Sequence, residues 1–415
     1  MRLSWLLFVR LIAGGIGFFP PLAAAVALDP RQYGLGASVF AMGLLVVGPL
    51  AQYASQGYMR ALLLPERPQV AASHIVLVFM ALLVSVLAIL LLIGAVAPIS
   101  AALFLFVVFA LTICRLEEVR QVAAERQILS VLFFYILPPF LVTLAFTAAA
   151  LLHLPLPWPA ITAIMGTCYL LPALASVLVR GGRIASGLAT VRPHHLRTLW
   201  VESRTFLVSG MVSAATENLP TLALTWLGVP QRVATFEVVR KLSSAISVFL
   251  HGLAIAFAPR LIKAVAADDM PQVIGVIRQN AKLSALFALV YIPLAVVGIV
   301  VLGMLHWKTL SIPAGIATPL FASAIVTCIA APFGMAVAAF HREHWWIVGG
   351  GIGLAAFCAT LLLAPVLGPM QTVAMAVLIQ NIALSATITS VIVRAIRARL
   401  RRPSSPGIAA IGPAT

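Results

Sequence analysis

Five charged residues set inside apolar runs are the first candidates for chemistry, because an ionisable group in a hydrocarbon setting is costly to keep. Glu217 stands in Thr216-Glu217-Asn218-Leu219-Pro220, near the middle of its run. The proline frees a backbone carbonyl and loosens the helix, so a carboxyl here can carry a proton or meet a cation; a neutral, hydrogen-bonded buried acid is the plainer alternative. Glu237, Arg240 and Lys241 share the next run, and spacings of three and four residues allow them to pair on one helix face. Two cations against one acid leave that face net positive, suited to a phosphate, unless the long side chains simply snorkel to the membrane surface. Arg10 lies about 7 to 8 Å into the first run at about 1.5 Å per residue, where a guanidinium can hold an anionic headgroup or reach the interface. The candidate substrate-binding residues are therefore Arg10, Arg240 and Lys241, and the candidate coupling residues are Glu217 and Glu237.

Other residues invite chemistry less. His251 is a lone histidine deep in an apolar run that can join a proton route, whereas His194-His195 and His341 with His344 fall in polar loops and read as solvated. Gly349-Gly350-Gly351 with Gly353 resembles a phosphate loop only in composition, since small residues inside a span serve close helix packing. Cys114, Cys168, Cys328 and Cys358 are far apart and read as small core residues. The chain has no GxxxxGK[ST] phosphate loop, no HExxH pair and no Asp-rich cluster. No cofactor, metal or enzymatic activity is expected.

The elements that position these residues follow from composition. Hydrophobic residues make up 62% of the 415 and charged ones only 9%, with a mean hydropathy of +1.10, whereas soluble domains carry about 25% charged residues. A helix needs roughly 20 apolar residues to cross the hydrocarbon core, so the chain holds about twelve spans and no soluble domain of ordinary size. The fold class expected is an all-α polytopic membrane protein. Spans are placed near 5-28, 35-57, 73-97, 99-114, 129-152 and 157-179, then near 205-228, 233-258, 283-305, 312-338, 345-366 and 371-393. The first is kept as a span rather than a signal peptide, because it is long and contains Arg10. The short fourth is the weakest member of the set.

Twenty-seven Lys and Arg against eleven acids give a net charge of +16. With the N-terminus inside, every Lys and Arg except Arg31, Arg232, Arg240, Lys241 and Lys308 falls on the cytoplasmic side, including the tail residues Arg394, Arg397, Arg399, Arg401 and Arg402. The excess charge is thus mostly topology and attraction to anionic membrane lipids, not nucleic-acid binding. This divides the chain into a six-helix half at 1-180, a basic cytoplasmic linker at 181-204 that suits a surface helix, a second half at 205-393, and a basic, disordered cytoplasmic tail at 394-415.

At an offset of 200 the sequence matches itself: Pro20 with Pro220, Leu22 with Leu222, Ala23 with Ala223, Pro30 with Pro230 and Arg60 with Arg260. Each pair holds the same place relative to its span, which predicts two six-helix halves in parallel orientation around a cleft that opens alternately to either side. The outer loops are tiny, which excludes the large acceptor-binding loop expected of a membrane polymerase or ligase.

Two stretches then carry a family likeness. Leu28-Asp29-Pro30-Arg31-Gln32-Tyr33-Gly34, followed by a span ending in Gln56-Gly57-Tyr58-Met59-Arg60, resembles the start of polysaccharide exporters of the multidrug/oligosaccharidyl-lipid/polysaccharide (MOP) flippase superfamily. Phe257-Ala258-Pro259-Arg260-Leu261-Ile262-Lys263 is a comparable exit in the second half. The resemblance implies a flippase that moves a polyprenyl-pyrophosphate-linked oligosaccharide across a bacterial inner membrane, for cell-surface polysaccharide biosynthesis such as lipopolysaccharide or exopolysaccharide. It implies a cationic cavity for the pyrophosphate, and glycan polymerase and glycosyltransferases as partners. The drug-antiporter branch of the superfamily is the alternative, and the absence of an acid in the first span before Asp29 argues against it.

Overall fold

The computed structural model describes residues 9, 12–13, 15–63, 98–123, 127–178, 193–304, 314–340, 342 and 344–401. Arg10, the third span at 73-97, the linker to residue 192 and the tail beyond residue 401 lie outside them, as does the side chain of His251. Among the described residues there are helices and turns and no strand. The labelled helices are α1 (Phe19–Ala27), α2 (Pro30–Leu63), α3 (Pro98–Ala123), α4 (Gln127–Val131), α5 (Leu137–Leu151), α6 (Trp158–Leu178), α7 (Pro193–Trp226), α8 (Val233–Ser244), α9 (Ile246–Ala266), α10 (Met270–Met304), α11 (Ala314–Ala339), α12 (His344–Leu361), α13 (Ala364–Leu367) and α14 (Pro369–Leu400). Eight of the described helices are long and apolar enough to cross a membrane.

Several elements depart from the sequence reading. The short fourth span is the 26-residue helix α3. The fifth span is α4 and α5 joined through a π-helical turn, Leu132–Ile136, because Pro138 and Pro139 remove donors from the following turn and a wider turn absorbs the loss. The linker's last residues, from Pro193, belong to α7, which continues unbroken through the seventh span to Trp226. The tail is helical as far as Leu400, as part of α14. There Arg399 binds the Val265 carbonyl and Asp268, and its guanidinium lies 5.1 Å from the ring centre of Phe340.

The eighth span is divided. α8 ends at Ser244 and α9 begins at Ile246. The hydroxyls of Ser243, Ser244 and Ser247 donate to the carbonyls of Arg240, Lys241 and Ser244, and Tyr291 donates to that of Leu242. These hydroxyls compete with the helical ladder and loosen it at the join.

Within the first half α3 packs on α2 and α6, and α5 on α1 and α6; within the second, α14 packs on α11 and α12, and α10 on α9 and α11. The halves meet where α7 lies along α2, while α8 reaches over to α1 and α2. Close approach along that seam depends on small residues. A Cβ on Gly34 would lie 1.9 Å from the Pro230 carbonyl oxygen, and one on Gly48 2.7 Å from the Ala214 Cβ. Three of the four glycines of the run pack as expected: a Cβ on Gly349 would meet Leu384 at 3.1 Å, one on Gly350 Val212 at 2.1 Å and one on Gly353 the Gln380 carbonyl at 2.9 Å, whereas one on Gly351 would meet nothing within 4 Å. Cys114, Cys168 and Cys328 are buried as expected, but Cys358, on α12, is exposed and is no core residue.

Candidate functional site

The site is built where α7, α8 and α2 converge. The motif that opens α2 supplies the frame. Asp29 caps the helix by accepting the Gln32 N–H at 2.8 Å, and Pro30 takes the first turn, where its missing donor costs nothing. Gln32 in turn accepts the Trp158 N–H at 2.9 Å, fixing the start of α6. Tyr33 is buried edge-on against Phe146, and Gly34 admits the Pro230 carbonyl. Every residue of Asp29-Pro30-Arg31-Gln32-Tyr33-Gly34 except Arg31 thus has a positioning contact.

Glu237, on the buried face of α8, is 6% exposed. Arg240, one turn on, meets it with two nitrogens, Nε to Oε1 at 3.1 Å and Nη2 to Oε2 at 2.7 Å. The third nitrogen, Nη1, donates to the Glu217 carbonyl at 2.9 Å. Thr221 donates its hydroxyl to Oε1 of Glu237. In α7 Pro220 leaves the Thr216 carbonyl without its helical donor, Thr216 and Asn218 turn their side chains onto the carbonyls of Val212 and Ala214, and the next carbonyl, that of Glu217, takes Arg240.

The expected self-pairing on one helix face holds for Glu237 and Arg240. Lys241 is exposed, and its side chain makes no hydrogen bond among the described residues. Glu217 is exposed as well, not buried, and lies within electrostatic reach of both Arg240 and Lys241. The cluster therefore holds two acids and two bases, where the sequence showed only one acid beside the two cations. Lys241, Ser244 and Ser247 form an exposed polar stripe at three-residue spacing across the join of α8 and α9. Arg10, the third candidate cation, lies outside the described residues.

A polar path leaves this cluster and crosses between the halves. Thr225, one turn beyond Thr221 on α7, shares a hydrogen bond with Ser38 of α2, which also donates to the Gly34 carbonyl. No charge marks Ser38, Thr221 or Thr225, and nothing distinguishes them in sequence beyond hydroxyls in apolar runs.

A span closed at Cys114, as the apolar run suggests, leaves out the functional-looking end of α3. Glu117 is buried there against the Ser176 hydroxyl and the Gln121 amide. Glu118 binds Arg115 at 2.6 Å and the hydroxyl of Tyr135, a residue of the π-helical turn. These side chains pin α3 to α6 and to the irregular fifth span. Among the described residues no group of histidines, cysteines and acids is arranged to hold a metal ion.

No family model matches the sequence, and no curated protein matches it. Solved structures do. An inward-facing multidrug-resistance MATE family transporter of the MOP superfamily aligns with a TM-score of 0.66 at 12% identity, covering 96% of this chain and 100% of that one. The outward-facing conformation of such a transporter aligns at 0.57 and 14%, covering 96% of both chains. The bent form of the MATE transporter VcmN of Vibrio cholerae aligns at 0.52 and 14%, covering 96% and 98%. The chain is a multi-pass membrane protein with the fold of the MATE transporters, about twelve helices in two halves.

Proposed function

We propose that the protein is an alternating-access flippase for a polyprenyl-pyrophosphate-linked oligosaccharide in a bacterial inner membrane, serving cell-surface polysaccharide biosynthesis. The observation that carries this reading is the exposed cation Lys241 beside Arg240 on the interrupted α8–α9 segment, at the seam between the halves. A phosphate meeting both residues gains charge-assisted hydrogen bonds, and serines along the stripe add neutral donors for sugar or phosphate oxygens. The headgroup crosses between the halves while its lipid tail stays in the bilayer, so no large outer loop is required. Glycan polymerase and glycosyltransferases are the partners this role calls for.

The seam supports the direction of the cycle. α2 meets the turn that follows α7 where Gly34 faces the Pro230 carbonyl, an end that lies outside on the orientation read from the basic residues, and the similarity is greater to the inward-facing transporter than to the outward-facing one. An inward-open cleft receives a substrate assembled in the cytoplasm.

One observation favours the second reading, a cation-coupled drug antiporter. Glu217 is exposed next to the cluster, where a carboxylate can take a proton or a cation. Proteoliposomes separate the two readings. The flippase moves a fluorescent polyprenyl-pyrophosphate sugar from one leaflet to the other and leaves a cationic dye in place; the antiporter exchanges the dye against a proton or sodium gradient and ignores the lipid. Normal lipid transport by Glu217→Gln across a range of pH would remove Glu217 as a coupling residue.

A further inference from the structure

Arg240 has its two-nitrogen edge filled by the protein itself. Nε and Nη2 face the two oxygens of Glu237 at 3.1 and 2.7 Å, and this is the edge a guanidinium offers to carboxylate and phosphate alike. On the flippase reading above, on which this rests, we infer that Glu237 is a built-in occupant of the anion site: the headgroup phosphate displaces it from Arg240, and the displaced carboxylate takes up one proton from water.

The surroundings of Glu237 make the proton necessary. It is buried, and the groups facing it or its helix are few. On α8 they are Arg240 and Lys241; from α2 comes the Tyr33 phenol, from α7 Glu217 and the Thr221 hydroxyl, and from α10 Tyr291, whose hydroxyl is bound to the Leu242 carbonyl. The α1 and α11 segments that also pack on α8 contain no Asp, Glu, His, Lys or Arg; the turn Pro230–Arg232 before α8 carries the exposed Arg232, and α9 after it carries the exposed Arg260 and Lys263 in its far half, with the His251 side chain outside the described residues. Lys241 is exposed and lies by the incoming anion and Glu217. A buried carboxylate whose counter-charge has turned to another anion neutralises rather than stay charged. Thr221 serves both forms, because a hydroxyl donates to a carboxylate and accepts from a carboxylic acid.

The exchange balances. One guanidinium–carboxylate pair becomes one guanidinium–phosphate pair, and one proton enters with the anion; when the anion leaves, Glu237 returns to Arg240 and the proton is released. Arg240 is thus paired in both states, and the site binds its anion together with a proton.

The test uses the full-length protein in nanodiscs and geranylgeranyl pyrophosphate as the probe. Calorimetry at pH 7.5 in two buffers of different ionisation enthalpy counts protons, at a pH where phosphate groups, with a second pKa of about 6, are almost fully ionised and a buried carboxyl that has lost its counter-charge is protonated. Wild type is expected to take up about one proton on binding, with affinity falling roughly tenfold per pH unit. Glu237→Gln is expected to take up none and to bind at least tenfold more tightly at that pH. If wild type binds without proton uptake, the exchange is overturned and the flippase reading stands; this count decides even if Glu237→Gln loses its thermal transition. Equal or weaker binding by a folded Glu237→Gln also overturns it. If neither protein binds the pyrophosphate at any pH, the anion site itself fails and the exchange fails with it.

Discussion

At the scale of residues, the cluster separates a cation held by the protein from one left open to a ligand. Arg240 has all three guanidinium nitrogens engaged, and removing it leaves Glu237 buried without its counter-charge. Arg240→Ala is therefore expected to lose about 3 to 5 kcal/mol of stability, read as a lowered melting temperature in detergent. Lys241→Gln removes no hydrogen bond among the described residues, so its melting temperature should move by no more than about 0.5 kcal/mol of stability allows. Its transport rate should nonetheless fall at least tenfold, since a charged hydrogen bond is worth about 1.5 to 3 kcal/mol. Equal melting losses in the two variants would contradict the division of labour. The spacing of Glu237, Arg240 and Lys241 was legible because helix periodicity alone places them together. The part played by Glu217 was not: its depth was readable, but a helix apolar all round gives no moment to orient it, and only the packing of α7 on α8 brings it beside the two cations.

At the scale of elements, what the sequence showed well was the existence of helices, and what it showed poorly was their ends. Charged residues read as span exits, yet α3 runs on past Arg115 and Glu118, α7 begins at Pro193, ahead of the span expected near 205-228, and α14 continues through Arg394 and Arg397. Side chains that bond across elements make these extensions stable. Arg399 is the plainest case, with the Val265 carbonyl at 3.0 Å, Asp268 at 3.2 Å and the Phe340 ring. Arg399→Ala should fray the last turns of α14, seen as faster amide hydrogen exchange after Ile392 with the core of the helix unchanged; unchanged exchange would show the contacts to be idle. The opposite error, reading the eighth span as one helix, arose because three serine hydroxyls that bond carbonyls look in sequence like ordinary polar residues on a helix face. The Asp29 to Gly34 motif was legible as a resemblance, but its physical content, a cap, a tether to α6 and a backbone contact at Gly34, needed three dimensions.

At the scale of the molecule, the offset of 200 residues anticipated two halves, and the MATE fold carries them. In the proposed alternating-access cycle the contact between α2 and α7 is the moving part. At Gly34 a methyl group has no room beside the Pro230 carbonyl, so Gly34→Ala should hold that end ajar and lower the melting temperature by about 1 to 3 kcal/mol of stability. A melting temperature equal to wild type would mean the seam yields freely. Lower down, Ser38 and Thr225 touch across the halves. A Ser38→Cys, Thr225→Cys pair should form a disulfide on oxidation and stop transport, with activity returning on reduction; transport through the oxidised pair would show that α2 and α7 never part there.

The measurement that tests the central claim most directly is headgroup translocation of a fluorescent polyprenyl-pyrophosphate sugar in proteoliposomes, comparing wild type with Lys241→Gln, Arg240→Ala and Arg10→Ala. The account predicts rapid movement by wild type and at least tenfold slower movement by Lys241→Gln despite unchanged folding. Lipid movement by Lys241→Gln at the wild-type rate, or an inert wild type that exchanges a cationic dye against an ion gradient, would contradict it.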